Sequence, residues 1–314
     1  AVTWFVRVAE GYDEHYVTYV EQAGKNIRLR LFCVDPAELL RQSLSLGKAT
    51  VFFSATLAPI DYYLDTLGGD HTDYRLQLAS PFDPDNLQVM LAEQIRTTYN
   101  DRQASCQEVA RAIAGLVGQK RGNYLVFFPS YLYMNQVAEY FVSQCPETSV
   151  VRQSTGMTEV EREQFLKCFA ADNTETLIGF AVTGGIFGEG IDLVGERLSG
   201  VVIVGVGLPQ LCLERDIIRD YYDRKNGMGF AYAYMYPGMN KVLQAAGRVI
   251  RTENDRGVVL LIDQRFSQGL YHRLLPSWWQ VNRVRNRLQI AENTARFWTQ
   301  GKLPQQIADK GRIY

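Results

Sequence analysis

Short apolar runs rich in β-branched and aromatic residues recur along the chain at 51–53, 124–128, 177–182, 201–206 and 258–262, and segments of helical periodicity separate them. A strand with one wet face alternates polar and apolar residues. Near-continuous apolar runs are therefore predicted to be strands of a parallel sheet buried on both faces. Between them Val109, Ile113, Leu116 and Val117 share one helix face, Val137, Tyr140 and Phe141 another, and 159–169 and 213–222 follow the same spacing. Strand and helix in alternation predict an α/β fold with an open, doubly wound, mostly parallel sheet.

The ends differ from this middle. Residues 4–9, 16–21 and 26–34 read as an antiparallel lead-in before a helix at 37–44, and 61–100 read as loop-rich. After Ser267 the pattern is helical, at 270–279 and again at 281–300, where Arg283, Arg285 and Arg287 mark a solvated face. The expected organisation is a lead-in over 1–60, a main α/β domain over 61–270 and a C-terminal helical extension over 271–314.

Apolar residues make up 46% of the 314, but no run approaches the roughly 18 to 20 needed to span a bilayer. No basic segment followed by an apolar stretch opens the chain, so no secretion signal is expected. A first residue Ala1 instead of Met reads as a fragment or a processed chain. Cysteines 33, 106, 145, 168 and 212 are scattered and odd in number, the usage of reduced thiols in a cytoplasmic protein. Net charge is −1, so contact with nucleic acid requires a local groove and not a global basic field.

Four segments carry chemistry. Gln244-Ala245-Ala246-Gly247-Arg248-Val249-Ile250-Arg251 spaces Gln244, Arg248 and Arg251 by four and three residues, which on a helix places an amide and two guanidinium groups on one face. Guanidinium is planar, permanently charged and matched to phosphate oxygens, so this face suits a γ-phosphate presented from outside the domain. A glycine-rich turn, Thr183-Gly184-Gly185-Ile186-Phe187-Gly188-Glu189-Gly190-Ile191-Asp192, follows an apolar run and offers Glu189 and Asp192 at the carboxyl edge of the sheet, where open α/β folds bind ligands. Phe128-Pro129-Ser130-Tyr131 ends a strand before a helix, a place for a phosphate on backbone amides and for a base on Tyr131. Phe52-Phe53-Ser54-Ala55-Thr56-Leu57 again ends an expected strand in small hydroxylic residues.

In this order the four segments resemble motifs III (Ser54-Ala55-Thr56), IV (127–131), V (184–192) and VI (244–251) of superfamily 2 helicases. Glu189-Gly190-Ile191-Asp192, Tyr236-Pro237-Gly238-Met239, Ser80-Pro81-Phe82 and Asp263-Gln264-Arg265-Phe266 make the resemblance specific to the DinG and XPD-like (Rad3-related) branch. It covers about residues 27–270. It implies a RecA-like second motor domain of an ATP-dependent DNA helicase that moves along single-stranded DNA, usually 5′ to 3′, in repair or replication. By position, Arg251 and Arg248 would be arginine fingers and Gln244 a phosphate contact. Glu189, Gly190 and Asp192 would line the nucleotide cleft. Ser54 and Thr56 would couple nucleotide state to closure, and Ser130, Tyr131, Thr183, Gly184 and Gly185 would touch DNA. Gly184-Gly185 stands where relatives often carry Ser-Arg or Ser-Gly, which leaves backbone amides as the donors there.

A phosphate-cradling loop needs Gly, four residues, Gly-Lys and then Ser or Thr, but Gly47-Lys48 has Gln42 at the first place and Ala49 at the last. Asp13-Glu14-His15 lacks the intervening Ala of the acidic box of such motors and follows no buried strand, so a turn is expected there. ATP and Mg²⁺ would accordingly be bound mainly by a first motor domain outside this chain, and an iron–sulfur cluster is not expected among these cysteines. A binding module that kept the fold without the motor is the competing reading; the paired arginines argue against it.

Overall fold

The computed structural model describes residues 2–187 and 191–300. The chain forms two compact units, Ala1–Ala79 with Val206–Leu243, and Ser80–Gly205 with Gln244–Tyr314. In the first, α1 (Val2–Glu10) leads to a hairpin of β1 (Tyr16–Ala23) and β2 (Asn26–Cys33), then to α2 (Ala37–Leu44) and α3 (Ile60–Thr66). The hairpin is antiparallel, with Tyr16 opposite Cys33.

Two expectations fail in this unit. Residues 4–9 are helical within α1, because no strand pairs with them among the described residues and their backbone hydrogen bonds close within the segment. Residues 51–53 form no strand: a parallel strand exists only as part of a ladder, and Val51 and Phe53 stand 79% and 90% exposed with no ladder among the described residues.

The second unit holds β3 (Leu87–Ala92), α4 (Arg102–Val117), β4 (Asn123–Phe128), α5 (Tyr131–Gln144), β5 (Ser149–Arg152), α6 (Glu159–Lys167), β6 (Leu177–Val182) and β7 (Gly200–Val204). The chain then returns to the first unit for α7 (Leu213–Asn226) and most of α8 (Tyr236–Ala246), and completes the second with β8 (Gly257–Ile262), α9 (Gly269–His272), β9 (Val281–Val284) and α10 (Arg287–Gln300). A π-helical turn, Ala231–Met235, runs directly into α8. Pro237 has no N–H for the carbonyl of Ala233 and its ring crowds that carbonyl, so a widened turn is the local solution.

Seven strands form one sheet in the order β5-β6-β4-β7-β8-β3-β9, every pair parallel. Strands β4, β7 and β8 are buried along their whole length, as continuous apolar runs require. Helices α4, α5 and α10 cover one face: Val109, Ile113, Met134, Val137, Phe141 and Ile290 form one buried core with Val126, Phe128, Phe180, Val202 and Leu260. From β4 the chain moves outward to β5 and β6, then crosses back past β4 to β7. The strand order thus reverses between β4 and β7, and ligands of open α/β sheets bind at the carboxyl ends of strands at such a reversal.

Here too the structure corrects the sequence. The loop-rich stretch 61–100 is largely irregular, with β3 within it, but the expected helix at 281–300 starts with β9, which pairs with β3 and buries Val284. The expected helix at 270–279 is only the short α9, which stops ahead of Pro276.

One polar cluster fixes the interior of the first unit. The Asp35 carboxylate, 1% exposed, accepts from Lys225 Nζ at 2.6 Å, Tyr221 Oη at 2.9 Å and Ala37 N at 3.1 Å. Burial pushes its pKa up, but these donors outweigh burial and leave it below the ordinary carboxylate value. Stability from such a group is complete above the unfolded pKa of about 3.9 and is lost as pH falls through the lower folded value. Asp35→Asn is therefore expected to destabilise the chain by about 1–3 kcal/mol at pH 7. The gap from wild type should shrink below about pH 4, measured as urea midpoints at several pH values.

Candidate functional site

Candidate functional side chains of the second unit lie in the segment between α8 and the start of β8, and where β4, β5, β6 and β8 end. At the first cluster the structure changes the expected geometry: α8 stops at Ala246, so Gln244 alone of its trio is helical. The chain tightens into i→i+3 hydrogen bonds, Arg248 N to Ala245 O at 3.4 Å and Val249 N to Ala246 O at 3.2 Å. Arg248 is thereby turned inward to 5% exposure, whereas Gln244 and Arg251 face solvent.

The two arginines nevertheless converge. Arg248 Nη1 donates to the carbonyl of Ile191 at 3.2 Å, and Arg251 Nη2 reaches the same oxygen at 3.5 Å. The longer contact, from an exposed group, is weak and easily exchanged. Arg251 has no ion pair among the described residues. Its backbone is held firmly: Asp255, 6% exposed, accepts from the N–H groups of Arg251 and Thr252 at 2.7 Å each. A fixed main chain with an exposed guanidinium that no carboxylate holds among the described residues can take an external anion. Gly188, Glu189 and Gly190 lie outside the described residues.

A second cluster joins the ends of β4 and β6. Ser130 caps α5, its hydroxyl accepting from Tyr133 N at 3.3 Å. Thr183 N donates to Phe128 O at 2.8 Å, which ties the glycine turn to the cap. Gly184 has φ +74, a conformation that favours glycine, and Gly185 closes the turn on Val182 O at 3.1 Å. The Thr183 hydroxyl is buried without a hydrogen-bond partner. Tyr131, half-buried, accepts at its hydroxyl from Gln153 Nε2 at 2.8 Å.

Ahead of α4 and at the end of β8 lies a third group. Asp263, fully buried, takes Arg265 Nε and Nη2 at 2.8 Å each and also accepts from the Thr97 hydroxyl. Arg102 nearby has no such partner. Its guanidinium lies 5.6 Å from the centre of the exposed Tyr99 ring and 5.8 Å from that of the buried Tyr133, its Nε is buried without a hydrogen bond, and no carboxylate pairs with it among the described residues. Burial holds its pKa below the ordinary arginine value, with Arg265 adding to the effect. A guanidinium in that state is poised for an anion.

The sequence pattern singles out Gln244, Arg248, Arg251 and the turns as candidates, but not Gln153, Tyr99 and Arg102. The available signal for Gln153 was a further short apolar run, Val150-Val151, that leads into polar residues, Gln153-Ser154-Thr155. Ser54 and Thr56 lie in the first unit, their hydroxyls 3.3 Å apart and Ser54 also accepting from Thr56 N at 3.2 Å. Asp13, Glu14 and His15 form a turn in which the Asp13 carboxylate accepts from His15 N at 2.9 Å and lies 3.1 Å from its Nδ1. No helix among the described residues is long and apolar enough to cross a membrane.

Comparison with known proteins places this geometry. A family model described as the helicase C-terminal domain matches residues 113–282, more than half of the chain. ATP-dependent DNA helicase chl-1 of Caenorhabditis elegans is 25% identical over 82% of the chain and 33% of its own length. The 3′-5′ exonuclease DinG of Bacillus subtilis is 25% identical over 84% of the chain and 29% of its length. Regulator of telomere elongation helicase 1 of Bos taurus is 28% identical over 87% of the chain and 24% of its length. The chain thus spans a quarter to a third of these relatives. Two solved structures of XPD, one an apo form, superpose with TM-scores of 0.64 over 90% of the chain at 20% and 21% identity, covering 56% and 49% of those chains.

Proposed function

Because the chain belongs to the helicase C-terminal domain family, we propose that it is the second motor domain of an ATP-dependent helicase acting on single-stranded DNA, of the DinG and XPD-like kind. The observation that carries this reading is the convergence of Arg248 and Arg251 on one carbonyl at the end of the glycine turn, with Arg251 exposed and in no ion pair among the described residues. Two guanidinium groups turned on one carbonyl, in the segment that leads from α8 into β8, suit an anion that approaches from outside.

In this mechanism the triphosphate of ATP is held mainly by a first motor domain, and Mg²⁺ there offsets charge on its phosphates. Arg251 exchanges its loose contact with Ile191 for the γ-phosphate, and Arg248 holds the turn that presents it. Gln244 reaches the phosphates from the last turn of α8, and Glu189, Gly190 and Asp192 complete the cleft. Ser54 and Thr56 relay nucleotide state. The exposed Val51, Phe52 and Phe53 beside them fit a segment that completes its ladder on another sheet. Movement along DNA is 5′ to 3′. The strand runs over Ser130, Tyr131 and the turn Thr183-Gly184-Gly185, where backbone amides and not long side chains meet phosphates, and Arg102 adds a cation to the same edge.

Single-stranded-DNA-stimulated ATPase activity of the intact protein tests the reading. Arg251→Ala is expected to lower the stimulated rate by about 10³-fold or more, the scale of an arginine finger. A variant as fast as wild type would remove the finger assignment, and a wild type without stimulated turnover would mean that the fold serves binding alone. Arg102→Ala is expected to weaken DNA binding for all sequences alike and to reduce the slope of log affinity against log salt by about 0.7, the value for one phosphate contact on a single strand. Equal slopes for variant and wild type would remove Arg102 from the path.

A further inference from the structure

Gln153 lies one residue beyond β5, is 3% exposed, and bridges two segments that the sequence does not connect. Its Nε2 donates to Tyr131 Oη at 2.8 Å, and its Oε1 accepts from Val182 N at 2.8 Å. Its own N–H donates to Phe180 O at 2.8 Å, so its backbone is pinned to β6 and the side chain has little freedom. Gly185 packs against the same amide: a Cβ there would sit 3.0 Å from Gln153 Nε2 and 3.2 Å from Val182 O, closer than ordinary contact. The glycine lets the turn settle on the amide.

Resting on the functional reading above, we propose that Gln153 is a positioning residue for the nucleic-acid strand, a buried amide strut that keeps Tyr131 and the turn Thr183-Gly184-Gly185 at fixed spacing so that they meet the DNA backbone as one surface. Only a group with a donor and an acceptor on one planar end can serve the tyrosine oxygen and the Val182 N–H together. A methionine fills similar volume and serves neither. Both partners are buried or half-buried, so their hydrogen bonds to Gln153 are not readily replaced by water. Without the strut the bond from Thr183 N to Phe128 O still joins the turn to the cap, but the Tyr131 hydroxyl end is no longer held to the turn, and the strand loses part of a preorganised grip.

The test compares Gln153→Met, Tyr131→Phe and the double variant in the intact protein, with oligo-dT as the probe and both DNA-stimulated turnover and thermal unfolding as readouts. Each single variant is expected to raise the half-saturating DNA concentration by about ten-fold, the double variant by no more than the larger single, because both remove one shared contact. The loss should lie in that concentration and not in the turnover rate at saturating DNA. Tyr131→Phe removes one hydrogen bond at a half-buried site and is expected to fold even if Gln153→Met does not. Half-saturating concentrations equal to wild type, independent multiplying effects, or a loss confined to the saturated rate would each overturn the strut. A wild type that shows no dependence on DNA overturns the functional reading itself, a result distinct from wild-type stimulation with unaffected variants.

Discussion

The parallel pairing of β4 with β6 on one side and β7 on the other decides where everything else in the second unit lies. Phe128 is in register with Val182, and Phe127 with Ile203, so the residues that follow these strands emerge at one level on one edge. The Ser130 cap, the Thr183 turn and, through β8, Asp263 are consequences of that register. A slip of one residue in β4 would turn its buried side chains to the opposite face and separate Phe128 O from Thr183 N. The apolar ladder is therefore part of the site, although none of its side chains touches a ligand.

Buried carboxylates organise the arginines of the second unit, and they do so unequally. Asp263 takes the guanidinium of Arg265 with two bonds and holds it in place. Asp255 takes only the backbone of Arg251 and leaves its side chain uncommitted. Arg102 lies over two tyrosine rings and pairs with no acid among the described residues. One arginine is structural and two are held ready, a division that follows from which atoms the acids accept and could not be inferred from charge alone.

Much of this was legible in the sequence because it depends on local pattern. Continuous apolar runs gave β4, β6, β7 and β8, and the glycine and arginine spacings located both turns. What the sequence hid depends on partners far along the chain. Leu87–Ala92 looks like loop until β8 pairs with it, and Val281–Val284 looks like helix until β3 does. The helix assigned through Arg251 ends at Ala246 because Asp255 captures the N–H groups of Arg251 and Thr252 from beyond the segment. Gln153 is invisible for the same reason: nothing near it in sequence announces Tyr131 or Val182 as its partners.

The central claim is that this chain supplies the arginines but not the phosphate cradle of an ATP site. The most direct measurement is MgATP hydrolysis by purified residues 1–314 alone, with and without single-stranded DNA, beside the intact protein. The account expects turnover from the intact protein and none above background from the isolated chain. DNA-stimulated hydrolysis by the isolated chain would contradict it, because the phosphates would then be held by residues to which no such role has been assigned.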